Sequence, residues 1–174
     1  MASDLRGLLA YGSLIHPDEH RALPGLITAI PVRVRGYRRI FNQTPSWRKG
    51  EGDRIAVLNV IPSPADSINA ICLVLESETL SSLARRERGY DPEEVSLSQL
   101  SFCTEKTPSA LPESLMIYRG KERLQDNTLL PNSDYLNLCL EGARQWGEDF
   151  YRFFLESTYI TETDSKMQAL HQIS

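Results

Sequence analysis

Apolar and polar positions alternate with two different periods along this chain, and the changes of period mark its elements. Gly7-Leu8-Leu9-Ala10-Tyr11 is a short apolar run that stops at Gly12-Ser13, the pattern of a buried strand ending in a glycine turn. Pro17 follows at a first-helical-turn position with Asp18 and Glu19 behind it, and Pro24-Gly25 breaks the chain again. Ile30, Val32 and Val34 then alternate with Pro31, Arg33 and Arg35 up to Gly36-Tyr37, a half-buried strand. Residues 55–61 and 68–75 are rich in β-branched and aliphatic side chains, and Pro62-Ser63-Pro64-Ala65-Asp66 between them predicts a hairpin connection.

The period lengthens after Leu75. A helix is predicted from Ser77 to Arg88, with Ser77 as N-cap, Glu78 in the first turn and Gly89 as the left-handed stop. Strands are predicted at 95–104 and 114–118, and the polar stretch 120–131 reads as a loop. The Leu136, Leu140, Ala143 spacing predicts helix, and Phe150, Phe153 and Phe154 continue it beyond Gly147. From Thr161 the chain reads as a polar, frayed tail, so the expected division is a domain over 1–160 and a tail over 161–174. Strands, one helix, more strands and then helices predict a single α+β domain with a mixed, partly closed barrel or sheet flanked by helices.

Composition narrows the function. With 174 residues, 41% of them hydrophobic and 24% charged, the chain is long enough to bury roughly 70% of its unfolded surface without a disulfide or metal. Cys72, Cys103 and Cys139 are odd in number and widely spaced, which indicates neither a disulfide framework nor a zinc site and predicts a reducing compartment. The first residues lack a basic then apolar leader, and no 18-residue apolar run occurs, so a cytoplasmic protein is expected, with no membrane partner. A net charge of −4 offers nucleic acid no global attraction.

Local features supply candidate chemistry. On the predicted helix Glu87 falls four residues after Leu83, three after Ala84 and seven after Leu80, on the apolar face, while Arg85, Arg86 and Arg88 lie off it. An inward carboxylate is held toward its protonated form by desolvation and so becomes a proton carrier near neutral pH; the alternative is a carboxylate at the stripe's edge, paired with one of its arginines. Tyr11-Gly12-Ser13-Leu14 is either a plain tight turn or a place where backbone N–H groups receive an anion. Ser13, His16 and Asp18 lack a nucleophile-elbow context for a triad. His16 and His20 have a metal-compatible spacing without a third ligand, and read as a solvated surface pair. Arg33, Arg35, Arg38, Arg39, Arg48 and Lys49, interleaved with Tyr37 and Trp47, read as the solvent face of a strand or as a receiver for an anion or nucleic acid.

Three segments together resemble a known family. Leu9-Ala10-Tyr11-Gly12-Ser13-Leu14, Val34-Arg35-Gly36-Tyr37-Arg38-Arg39 and Leu83-Ala84-Arg85-Arg86-Glu87-Arg88-Gly89-Tyr90, in this order, are similar to the γ-glutamylcyclotransferase superfamily, and Pro131 to Ala143 resembles its closing helix. The resemblance implies a cofactor-independent, metal-free reaction in which the α-amine of a γ-glutamyl group attacks its own γ-carbonyl, giving 5-oxoproline and releasing the attached amine or peptide. It implies that the substrate is a small γ-glutamyl compound, that Ala10, Tyr11, Gly12, Ser13 and Leu14 bind it, that Glu87 is the base and acid, and that Tyr118 lines the pocket. Leu14-Ile15-His16-Pro17 and Asn42-Gln43-Thr44-Pro45-Ser46 depart from the tryptophan and Gly-Thr-Pro patterns of the branch that acts on glutathione. The other reading is a non-catalytic ligand-binding or protein-interaction module on the same fold.

Overall fold

The computed structural model describes residues 4–45, 55–104, 108, 111–112, 114–161 and 167–170. Two long strands dominate it. β2 (Leu26–Gln43) and β3 (Ile55–Glu76) run antiparallel along their whole length, and the other strands attach to them. β1 (Leu5–Ala10) pairs antiparallel with the second half of β3, and β6 (Ser114–Gly120) lies parallel to β1 and antiparallel to β4 (Tyr90–Val95). Beyond β2 lie β8 (Thr158–Thr161), parallel to it, and then β9 (Met167–Ala169), while the short β5 (Leu100–Phe102) and β7 (Leu130–Pro131) branch from β2 and β3. The result is the expected α+β architecture, among the described residues a mixed nine-stranded sheet, partly open, with helices against it.

Several expectations are corrected. Residues 55–61 and 68–75 do not form a hairpin, because both halves pair with β2 instead of with each other. Pairing passes from Arg35↔Ser67 directly to Tyr37↔Pro62, so Ser63 to Asp66 bulge out opposite the single residue Gly36. Gly36 has φ +93°, a conformation that side chains disfavour, and it provides the local bend. The stretch read as a polar tail contributes β9, paired with β8, and Leu170 after it is buried. Strand 95–104 is broken by a 3-10 turn at Leu97–Gln99, capped by Ser96.

Residues 68–75 of β3 are buried without a break, as a central strand covered on both faces must be. α2 (Ser77–Arg86) packs on β1 and β3 through Leu80 and Leu83, and α4 (Glu148–Glu156) packs on β3 and β8 through Phe150 and Phe154. α1 (Pro17–Arg21) begins with proline, as expected, and α3 (Ser133–Gln145) is capped by the Asn132 side chain accepting from the Tyr135 N–H. Among the described residues no helix is long and apolar enough to cross a membrane.

Candidate functional site

The parallel pair β1 and β6 brings two chain ends to the same edge. Register runs to Leu8↔Met116, so Ala10 and Tyr118, each two residues farther on, reach that edge together, and Tyr11 leaves β1 beside Tyr118. The Tyr11 hydroxyl donates to the Tyr118 carbonyl at 2.5 Å, which ties the strands where β1 ends. After Tyr11 the chain makes one 3-10 turn, Ser13–Ile15, closed by bonds from the Ile15 N–H to the Gly12 carbonyl and from the His16 N–H to the Ser13 carbonyl, each 3.1 Å. The N–H groups that open such a turn have no acceptor inside it. Among the described residues no acceptor meets the N–H of Gly12, Ser13 or Leu14.

The turn is braced from outside. His20 donates through Nδ1 to the Leu14 carbonyl at 2.8 Å, and burial lowers its pKa, keeping the imidazole neutral. Trp146 donates to the Ile15 carbonyl at 2.9 Å, and Gly142 of α3 lies against the His16 backbone, where a Cβ would come within 2.8 Å. His16 and His20 are thus not a solvated surface pair; both are buried, His16 as the N-cap of α1 and His20 as a clamp on the turn. Their helical spacing served the fold. Among the described residues no group of three His, Cys, Asp or Glu side chains is placed to hold a metal.

Glu87 arrives from the other side. α2 stops at Arg86, two residues short of the expected end, because Tyr90 already pairs with Gly120 at the start of β4 and the sheet draws the chain out of the helix. Ser77 is the first helical residue, not the cap, and Gly89 does not adopt the left-handed conformation of a helix stop. Glu87 is therefore the C-cap, at φ −94° and ψ 40°, with its N–H on the Leu83 carbonyl. The loop that carries it is pinned where the Gly89 carbonyl accepts from the Lys121 N–H at 2.9 Å and from Gln43 Nε2 at 2.8 Å. Arg86 pairs with Glu19 at 3.5 Å, and among the described residues no ion pair or hydrogen bond occupies the Glu87 carboxylate. Burial raises the Glu87 pKa, with Arg86 opposing it. The arginine-paired alternative does not describe this carboxylate.

Ala10, Tyr11, Gly12, Ser13, Leu14, Glu87 and Tyr118, the seven positions singled out above, line one cleft of about 70 Å³, together with Leu8, Leu9, Leu58, Tyr90 and Tyr135. Its phenols fall into two sets. Tyr11 and Tyr90 are committed to backbone carbonyls, the latter to Leu58 at 2.8 Å, and the Tyr135 hydroxyl sits where a Cβ on residue 12 would be, 2.6 Å away. Tyr118 is different: its hydroxyl has no hydrogen-bond partner among the described residues. Burial raises the pKa of all four phenols, and the Glu87 charge pushes Tyr11, Tyr90 and Tyr118 further up, so each keeps its proton at neutral pH. The glycine at position 12 admits a neighbouring phenol as closely as it would a ligand.

Tyr90 and Tyr135 carried no assigned role in the sequence, since an aromatic at the start of a strand or in the first turn of a helix reads as core. Of the basic set, Arg33, Arg35 and Arg38 lie on the outer face, but Arg39 is fully buried and leaves it. Trp47, Arg48 and Lys49 lie outside the described residues.

Solved structures of the same shape exist. A γ-glutamyl cyclotransferase matches with a TM-score of 0.66 at 14% identity, over 97% of each chain. The chain has the γ-glutamyl cyclotransferase fold. An uncharacterized protein from Homo sapiens matches that fold over 98% of each chain, at TM-score 0.67 and 15% identity. A glutathione-specific γ-glutamyl cyclotransferase from yeast matches at TM-score 0.56 and 15% identity, over 88% of this chain and 97% of its own. No family model matches the sequence, and no curated protein does.

Proposed function

We propose that this protein is a γ-glutamylcyclotransferase-type enzyme that converts a small γ-glutamyl amide or peptide into 5-oxoproline and releases the attached amine. The observation that carries this reading is the set of unbonded polar groups converging on one cleft: the Glu87 carboxylate, the Tyr118 hydroxyl and the N–H groups of Gly12, Ser13 and Leu14. Polar groups that the fold leaves unengaged along one cleft are available to a ligand that completes them.

The reaction suits such sparse equipment. Nucleophile and electrophile belong to one molecule, so the site has mainly to fold the glutamyl chain into an attacking shape. Glu87 takes a proton from the α-ammonium, the amine nitrogen bonds to the γ-carbon, and the negative charge moves onto the γ-oxygen. The Tyr118 hydroxyl or a turn N–H donates to that oxygen. The bond from the γ-carbon to the leaving nitrogen then breaks as Glu87 returns its proton to that nitrogen and the γ-carbonyl re-forms. The ring nitrogen, closed onto the γ-carbon in the first step, gives its remaining extra proton back to Glu87, which passes it to the released amine, leaving 5-oxoproline. A carboxyl group whose pKa burial has raised can both accept and return that proton near neutral pH.

The test is mass-spectrometric detection of 5-oxoproline from glutathione, γ-glutamyl amino acids and γ-glutamyl-lysine, with wild type beside Glu87→Gln. Release from at least one compound, lost in the variant, is the expected result and names the leaving group. A folded wild type that binds these compounds and releases nothing would replace the enzyme by a binding module.

A further inference from the structure

Among the described residues Arg39 is the largest side chain that the fold buries completely. Its five N–H groups are all used: Nε donates to Thr158 Oγ1 at 2.8 Å, Nη1 to the carbonyls of Tyr11 at 3.1 Å and Asn69 at 2.9 Å, and Nη2 to Asn69 Oδ1 at 2.5 Å and Ser157 Oγ at 2.9 Å. The two hydroxyls pass the polarisation on, Ser157 donating to the Phe153 carbonyl and Thr158 to that of Phe154, and the Phe154 ring lies 4.0 Å below the guanidinium. None of the five acceptors is a carboxylate. Burial draws the Arg39 pKa down to about 9, so it remains a cation at neutral pH, with no counter-anion among the described residues.

A buried cation without an anionic partner is a poor way to gain stability, since neutral side chains of similar volume are commonly as good or better. Its placement suggests what the charge does. In a trans peptide the C=O and the next N–H point in opposite directions, so a bond that draws the Tyr11 carbonyl toward Arg39 turns the Gly12 N–H away from it. Gly12 lines the cleft, it is buried, and its N–H has no acceptor among the described residues. We infer that Arg39 is a positioning residue for anion recognition: it fixes and polarises the Tyr11–Gly12 peptide so that the Gly12 N–H donates to a carboxylate bound in the cleft. This rests on the function proposed above for the identity of the substrate, but not for the behaviour of the peptide. The same guanidinium ties the turn to β3 and to the α4–β8 junction, which keeps the peptide from rotating.

The experiment follows the Gly12 amide by 15N–1H NMR in wild type, R39Q and R39K during titration with 5-oxoproline, with its uncharged analogue 2-pyrrolidinone and with acetate, alongside turnover of the γ-glutamyl panel. In wild type the Gly12 N–H moves downfield with 5-oxoproline and acetate. R39Q weakens 5-oxoproline binding by about tenfold to a hundredfold and leaves 2-pyrrolidinone unchanged, because only the charged ligand loses a charge-assisted donor. The same variant raises KM about as much while kcat stays within about twofold, and R39K, which keeps the charge without the planar fork, falls between the two. Equal weakening of both ring ligands, or an unchanged KM in folded R39Q, overturns the role of Arg39 and leaves the cyclotransferase reading standing. If no panel member turns over but acetate still moves the Gly12 N–H in wild type, and fails to do so in R39Q, the cyclotransferase reading falls and the role of Arg39 stands. If R39Q does not fold, R39K decides: weaker 5-oxoproline binding with 2-pyrrolidinone unchanged supports the inference, and equal effects on both ring ligands, no effect on either, or a wild-type Gly12 N–H that neither 5-oxoproline nor acetate moves overturns it.

Discussion

Arg38 and Arg39 are neighbours on β2 with opposite fates, and the regions they belong to teach different lessons. Arg38 faces a groove of the outer sheet surface where charges find partners in reach of water: it pairs with Asp66 at 2.7 Å and lies over the Tyr159 ring, while Arg35 donates to the Ser98 carbonyl and Arg33 covers Phe153. Arg39 faces inward and supports a cleft whose half-buried carboxylate and open hydroxyl the fold leaves without partners among the described residues. Pairs of the first kind, still in reach of water, contribute little, whereas groups of the second kind are left for a ligand to complete. Density of charge is therefore a worse guide to function here than absence of partners.

The comparison is broken or sharpened most strongly at Glu87. Glu87→Gln should lower 5-oxoproline release by about 10²–10⁴-fold with the melting temperature preserved or raised, read by mass spectrometry and a thermal melt. The same variant has a pH signature. Because the folded-state pKa of Glu87 lies above its unfolded value, the carboxyl group favours folding most when protonated, and that advantage is lost as pH rises through the raised value. Denaturant titrations should accordingly show wild type losing stability relative to Glu87→Gln between acid and neutral pH. An equal pH dependence in both proteins would mean that the carboxylate is not desolvated.

Next in size is the turn itself. Gly12→Ala places a methyl group 2.6 Å from the Tyr135 hydroxyl, so kcat/KM should fall about tenfold or more, and Tyr135→Phe in the same chain should restore part of the loss. Additive effects of the two changes would show that the phenol is not what demands glycine. The open and committed phenols come third: Tyr118→Phe should cost about tenfold in kcat/KM with little change in stability, while Tyr11→Phe should cost about 1 kcal/mol of stability through its lost bond to the Tyr118 carbonyl. The smallest effect is expected in the groove, where Arg33→Ala with Arg35→Ala should leave turnover within about twofold.

Much of the fold was legible in the sequence alone. The apolar run ending at Gly12, the alternation through Val34 and the helical spacing of Leu80 and Leu83 each carry their own period, and local period is what decides element type. Glu87 was legible for the same reason, although it caps α2 instead of standing within it, since helix ends yield to whatever the next element demands. Pro62 to Asp66 misled because turn-forming residues also make bulges, and only the partner strand distinguishes a reversal of direction from a detour. Ser63 to Asp66 leave the ladder while β2 runs past them.

What a short stretch of chain dictates by itself is the type of each element and the chemistry it carries: strand, turn, helix, an inward carboxylate and a glycine turn. Which of those groups would meet was decided by the parallel placement of β6 beside β1, a pairing between residues more than a hundred positions apart. The same distance separates Arg39 from Ser157 and Thr158, so strand alternation could place that guanidinium on one face but could not say that five acceptors and no carboxylate awaited it there. Burial and hydrogen-bond satisfaction are properties of the assembled surroundings, and they turned one arginine into a partly buried ion pair and its neighbour into the support of the cleft.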